Sequence, residues 1–191
     1  LHVLLCEGGS SSSNQKEQIQ ALFAAGYGSN LSIHYALKVD VPDKTLQSLI
    51  DARPASLLDT DGEKQTPLHS VFGNSSRMPS LGTIKTLLMS QGVNATHLKD
   101  SRGKLPLHLA AEHGASEDIL QLLVDAYADG CYRRTDDGDI PLHLLVRSGS
   151  ATQATVELLI LPIIHNPTIC SYSGSIGVNL PLHIACEYRC K

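Results

Sequence analysis

Nine histidines and five cysteines give this chain of 191 residues most of its possible chemistry. The sharpest cluster is His183, Cys186 and Cys190. Spacings of three and four put the three on one helical face, and each is a zinc ligand by type. No fourth ligand stands near them, so they do not make a metal site. Asp136, Asp137 and Asp139 form an acidic group that a solvated loop tip explains better than a carboxylate pair at work on a substrate. The stretch LPLHLAAEHG, Leu105 to Gly114, holds two histidines and a glutamate. No Gly-x-Ser-x-Gly elbow and no phosphate-cradling glycine loop occurs anywhere in the chain. No catalytic residue, cofactor site or metal site is expected.

The elements that must position these residues show why the chemical readings fail. LPLHLAAEHG is one of six copies of the same phrase. TPLHSVFGN starts at Thr66, IPLHLLVRSG at Ile140 and LPLHIACEYR at Leu180, with a degraded LSIHYALKV at Leu31 and a truncated LHVLLCEGG at Leu1. Its histidines are His2, His34, His69, His108, His143 and His183, separated by 32 to 40 residues. A residue that appears once per repeat is carried one layer away from its next copy, too far to share a metal ion. A second signature follows each complete phrase: Ile19/Leu22/Phe23, Leu46/Leu49/Ile50, Ile84/Leu87/Leu88, Ile119/Leu122/Leu123 and Val156/Leu159/Ile160. Spacing i, i+3, i+4 marks one face of a helix. Each unit therefore reads as helix, loop, helix, connector.

Several residue types have direct physical reasons. Pro67, Pro106, Pro141 and Pro181 suit the first turn of a helix, where the missing N–H costs nothing. Gly114 and Gly149, with Gly8 in the same register, suit the left-handed residue that ends a helix. Asp61-Gly62 and Asp137-Gly138 carry turn chemistry, with Asp100 to Gly103 a looser version. The interval between the two signatures is shortest from His108 to Ile119. It is stretched by the Ser/Gly-rich GGSSSSNQ and NSSRMPSLG in the first and third units. Only 15 residues separate Ile19 from His34, too few for a finger at that junction.

The chain resembles the ankyrin-repeat family, whose T-P-L-H-x-A-A-x-x-G helix precedes a V-x-x-L-L helix. The resemblance covers essentially the whole chain, over a family period of about 33 residues. It implies an all-α fold, a right-handed ankyrin-repeat α-solenoid of helix–loop–helix units with hairpin-like connectors. The units fall at about 1–27, 28–59, 60–99, 100–134, 135–173 and 174–191, as a single array, the outer two incomplete. The family's capping Thr before the Pro is kept at Thr66 and replaced at Leu105, Ile140 and Leu180. The resemblance also implies that the repeated His ties successive connectors together through hydrogen bonds.

Composition sets the outer bounds. Apolar residues make up 42% of the chain and aromatics 4%, which suits thin helical layers. A net charge of −4 gives no long-range attraction to nucleic acid or anionic lipid. The longest apolar run, Leu158 to Ile164, is far too short to span a bilayer and contains Pro162. Five irregularly spaced cysteines point to reduced thiols and a cytoplasmic, intracellular setting. Sequons at Asn30, Asn74 and Asn94 arise readily by chance and carry little weight against it. Because the chain begins and ends inside a repeat, it reads as a segment of a longer protein.

These readings converge on a non-catalytic protein–protein interaction scaffold. The partner is expected to be a protein, with no nucleic acid, no membrane insertion and no small-molecule substrate. By resemblance, the partner lies on the concave face of finger tips and first-helix edges: Arg102, Lys104, Glu112, His113, Asp136, Asp137, Asp139, Arg147, Glu187 and Tyr188. A basic finger beside an acidic one favours a partner of mixed charge. The alternative is a regulatory or targeting segment of a larger enzyme or channel.

Overall fold

Proline opens three of the described helices, and in each it fixes where the helix starts. A computed structural model describes residues 32–38, 42–73 and 78–164, and no strand occurs among them. The chain divides into two units, Leu1–Ala95 and Thr96–Lys191. The first contains α1 (Ser32–Lys38), α2 (Asp43–Ala52), α3 (Pro67–Ser70) and α4 (Leu81–Leu88). The second contains α5 (Pro106–Glu112), α6 (Glu117–Ala126), α7 (Pro141–Ser148) and α8 (Gln153–Ile164). Short 3₁₀ segments, Pro54–Leu57 and Ala128–Tyr132, follow α2 and α6.

Pro67, Pro106 and Pro141 are each the first helical residue, as expected. The residues before them, Thr66, Leu105 and Ile140, are extended, with ψ of 167°, 163° and 164°. Pro disfavours helical geometry in its predecessor, so the boundary is sharp. Gly114 and Gly149 take φ of +68° and +74°, the left-handed conformation predicted for the helix stops. The second helices start differently. The Ser80 hydroxyl accepts the Thr83 N–H at 3.0 Å and caps α4. Glu117 and Asp118 lie in the first turn of α6, at the positive end of its dipole.

Within the first unit α1 packs on α3 and α2 on α4. Within the second, α5 packs on α7 and α6 on α8. Each unit is thus two helical pairs stacked like on like. Leu46, Leu49, Ile50, Ile84 and Leu87 are buried, and so are Ile119, Leu123 and Leu159. The predicted i, i+3, i+4 face is therefore the packed face. Leu88, Leu122, Val156 and Ile160 are only half-buried, because the helix pair reaches round one side of the stripe. Leu120, outside the signature, is fully buried instead. Ala110 and Ala111 are also fully buried, and their small size lets α5 and α7 approach closely.

Pro162 lies inside α8 rather than ending it. Among the described residues no helix is long and apolar enough to cross a membrane. The Ile19/Leu22/Phe23 signature, the first junction and the His183–Cys190 cluster lie outside the described residues.

Candidate functional site

The residues expected to bind lie in, or just after, turns that precede the first helices. Residues 61–65, 100–104 and 135–139 share one construction. In each, the first residue's N–H donates to the fifth residue's carbonyl: Asp61 to Gln65 at 3.0 Å, Asp100 to Lys104 at 2.9 Å and Thr135 to Asp139 at 2.9 Å. In each, the first carbonyl accepts from the fourth residue's N–H. A side-chain oxygen of the first residue closes the loop. Asp61 Oδ1 accepts from Glu63 and Gln65, Asp100 Oδ1 from Arg102 and Lys104, and Thr135 Oγ1 from Asp139. These turns are hairpin-like without strands.

The fourth position carries the strain. Gly103 and Gly138 take φ of +70° and +86°, and Lys64 takes +57° in the same place. Asp61-Gly62 therefore does not act as the turn pair that its sequence suggests. Asp61 is the acceptor at the start of the turn, and Lys64 occupies the left-handed position. The stretch Asp100 to Gly103 is no looser than the others, because its carboxylate satisfies two backbone donors.

The repeated imidazoles fasten these turns to the helices. Each stands at the third helical position and accepts, through Nδ1, the backbone N–H of the residue before Pro. The distances are 3.2 Å for Thr66 to His69, 3.0 Å for Leu105 to His108 and 3.2 Å for Ile140 to His143. The Thr66 hydroxyl also reaches Nδ1 of His69, at 2.8 Å. Leu105 and Ile140 have no hydroxyl to offer, yet the return half of a capping box survives in them. The loss of Thr is thus smaller than the residue types alone imply.

An accepting Nδ1 puts the ring proton on Nε2. Nε2 of His108 donates to the Arg133 carbonyl at 3.0 Å, and Nε2 of His34 lies 2.8 Å from the Gln65 carbonyl. These bonds span 25 and 31 residues, so the histidines tie one connector to the next. Burial pushes the His108 pKa down to about 4, against the carbonyls of Arg133 and Asp139 that favour the charged form. The ring is neutral at physiological pH and fully enclosed, which is the chemistry of a structural group.

The expected site residues separate into two groups. Lys104 Nζ lies 2.6 Å from Glu112 Oε2, and Arg147 grips Asp139 through Nη1 at 2.9 Å and Nη2 at 3.2 Å. Both pairs join the fifth residue of a turn to the eighth residue beyond it, near the end of the first helix. The polarity is reversed from one repeat to the next. Lys104 is buried and Asp139 half-buried, so these four charges are largely satisfied within the fold. Arg102, Asp136 and Asp137 are exposed. The Asp136 N–H donates to the Arg102 carbonyl at 3.1 Å, which fixes one tip against the next. His113 is half-buried at the end of α5. Glu187 and Tyr188 lie outside the described residues.

One group of surface residues escaped the sequence reading. His97 stacks on Tyr127 with ring centres 4.0 Å apart, and the Tyr127 hydroxyl accepts from Arg133 Nε at 3.0 Å. The signal was the run Cys131-Tyr132-Arg133-Arg134, which sets one aromatic residue before two basic ones just ahead of a turn. Cys131 itself is buried, and burial raises its thiol pKa to about 12, so it acts as a small apolar residue.

Comparison with known proteins agrees with this construction. A family model described as ankyrin repeats in three copies matches residues 24–133 and 74–169. A search of curated proteins finds no match. Members of the matched family generally serve as protein–protein interaction modules and are typically non-catalytic.

Proposed function

Since the chain belongs to the ankyrin-repeat family, we propose that it is a non-catalytic scaffold that binds a protein partner on the concave face of its turns and first-helix edges. The observation that carries this reading is the rigid ledge of Arg102, Asp136 and Asp137. The three side chains are exposed, of opposite sign, and mounted on turns bonded to each other through Asp136 and Arg102. A fixed ledge loses little conformational freedom on binding, which favours recognition. Lys104, Glu112, Asp139 and Arg147 support the ledge by neutralising one another behind it. Specificity then rests on Arg102, Asp136 and Asp137, with His113, and the partner presents charges of both signs.

The test is proximity labelling in cells with the wild-type chain and with Arg102→Glu and Asp136→Lys. Each variant should lose a set of proteins that the wild type labels while keeping its melting temperature. If both variants label the same proteins as the wild type, the assignment of this face is wrong.

A further inference from the structure

We propose that Arg133, with the rings around it, is a second docking point, which takes an acidic segment of a partner protein. This inference rests on the interaction role above and adds a surface that the turn ledge does not include. Arg133 is exposed, yet its side chain is held on two sides. Its Nε donates to the Tyr127 hydroxyl at 3.0 Å, and its guanidinium carbon lies 5.8 Å from the centre of the Tyr132 ring. Tyr127 is fixed in turn by its stack on His97, at an interplanar angle of 24°. An exposed arginine ordinarily samples many rotamers and loses that freedom when it binds. Here folding has already ordered it.

The terminal Nη atoms make no hydrogen bond among the described residues, and the Asp129 carboxylate of the adjoining segment acts on the guanidinium through its charge alone. A planar fork with parallel N–H groups matches a carboxylate. Two more cations belong to the same stretch of surface chain. Lys99 Nζ donates to the Arg134 carbonyl at 2.8 Å, and Arg134 Nη1 reaches the Gly138 carbonyl at 3.4 Å. Lys99 Nζ is thus held at the backbone of the residue next to Arg133, in a chain whose net charge is −4. Tyr and Arg are also the residue types that dominate binding energy at protein interfaces.

The local charge pattern favours a protein over a polyanion. Asp129 lies in the adjoining 3₁₀ segment, and Asp136 and Asp137 stand on the next turn, all exposed. A nucleic acid or an anionic membrane presents closely spaced charge and would meet all three. A protein segment can place separate carboxylates on the cations and neutral residues elsewhere. The site also has a firm base, since the Arg133 carbonyl accepts from His108. A side-chain substitution at Arg133 leaves that bond in place.

The experiment is an NMR titration of the isotopically labelled 1–191 chain with a synthetic Glu/Asp-rich peptide, followed through the Arg133 Nε–H and Tyr127 signals. Saturable shifts of both are expected. Arg133→Glu should weaken binding by about tenfold or more. Arg133→Lys, which keeps the charge and loses the fork, should weaken it roughly threefold. Tyr127→Phe, which releases Nε but keeps the ring, should also weaken it. Lys44→Glu makes the same change of charge at an exposed cation outside both surfaces and should leave peptide affinity within about twofold of the wild type. Equal losses in Lys44→Glu and Arg133→Glu would mean that only net charge matters, and would overturn the docking point. So would single-stranded DNA or phosphatidylserine vesicles binding more tightly than the peptide. Failure here leaves the ledge reading intact, because that reading stands or falls on the proteins lost by the turn variants.

Discussion

The turns at 61–65 and 100–104 have the same backbone bonds and different residues at the strained position. Asp61 and Asp100 each satisfy two N–H groups with one carboxylate oxygen. The fourth residue is left-handed in both, Lys64 at φ +57° and Gly103 at φ +70°. What differs is the surroundings. A Cβ built on Gly103 would collide with Asp136 Oδ1 and lie 2.9 Å from the Asp136 backbone nitrogen. Gly103 is thus required twice, by conformation and by the approach of the next turn. Lys64 shows that the conformation alone is tolerated in a side-chain-bearing residue, at a cost. The turn that carries the Arg102 ledge is the more constrained of the two.

The largest expected effect breaks the comparison behind the second turn, at His108. Unfolded, its ring titrates near 6.5, and in the fold near 4. Between these values the unfolded chain binds the extra proton, so stability rises with pH across this window. The contribution is complete above about pH 6.5 and is lost as pH falls through 4, up to roughly 3 kcal/mol. Urea unfolding at stepped pH should show this slope, and His108→Gln should flatten it. An equal slope in the variant would show that other groups cause it.

Next in size is Gly103→Ala. Left-handed geometry and the clash with Asp136 together should cost roughly 2–3 kcal/mol, read from the urea midpoint. A loss under about 1 kcal/mol would mean that the two turns separate easily, and that the ledge is not rigid. The smallest effect is a gain. Lys64→Gly removes the strain without filling any space and should stabilise the chain by about 0.5–1 kcal/mol in thermal melts. No gain, or a loss, would show that the Lys64 side chain contributes contacts that outweigh its backbone strain.

Local rules carried most of the fold. Pro67, Pro106 and Pro141 mark helix starts, Gly114 and Gly149 mark stops, and the i, i+3, i+4 stripes mark buried faces. These depend on a residue and its near neighbours, which a sequence displays directly. Lys64 was missed because nothing in its side chain announces a left-handed backbone, while the nearby Asp61-Gly62 drew attention to the wrong pair. Lys104–Glu112 and Asp139–Arg147 were missed as pairs because a separation of eight is no helical spacing. It arises only because the turn doubles back on the helix. His97, Tyr127 and Arg133 come from two separate connectors, so only folding brings them together. The candidate site was therefore legible as a set of exposed charges, and illegible in which of those charges cancel.

The reversal of polarity between Lys104–Glu112 and Asp139–Arg147 bears on folding fidelity. Repeats of similar sequence invite mispairing, in which a turn docks on the helix of the wrong copy. An exchange of the two turns would set Lys104 against Arg147 and Asp139 against Glu112. Each pair, open to solvent through Glu112 or Arg147, is worth only about 0.2–1 kcal/mol when correctly matched. The sign change nevertheless makes the exchanged arrangement repulsive at two places where the correct one is attractive. The chain therefore carries a proofreading mark at each of these turns, written in charge, that distinguishes copies which their apolar framework leaves almost interchangeable.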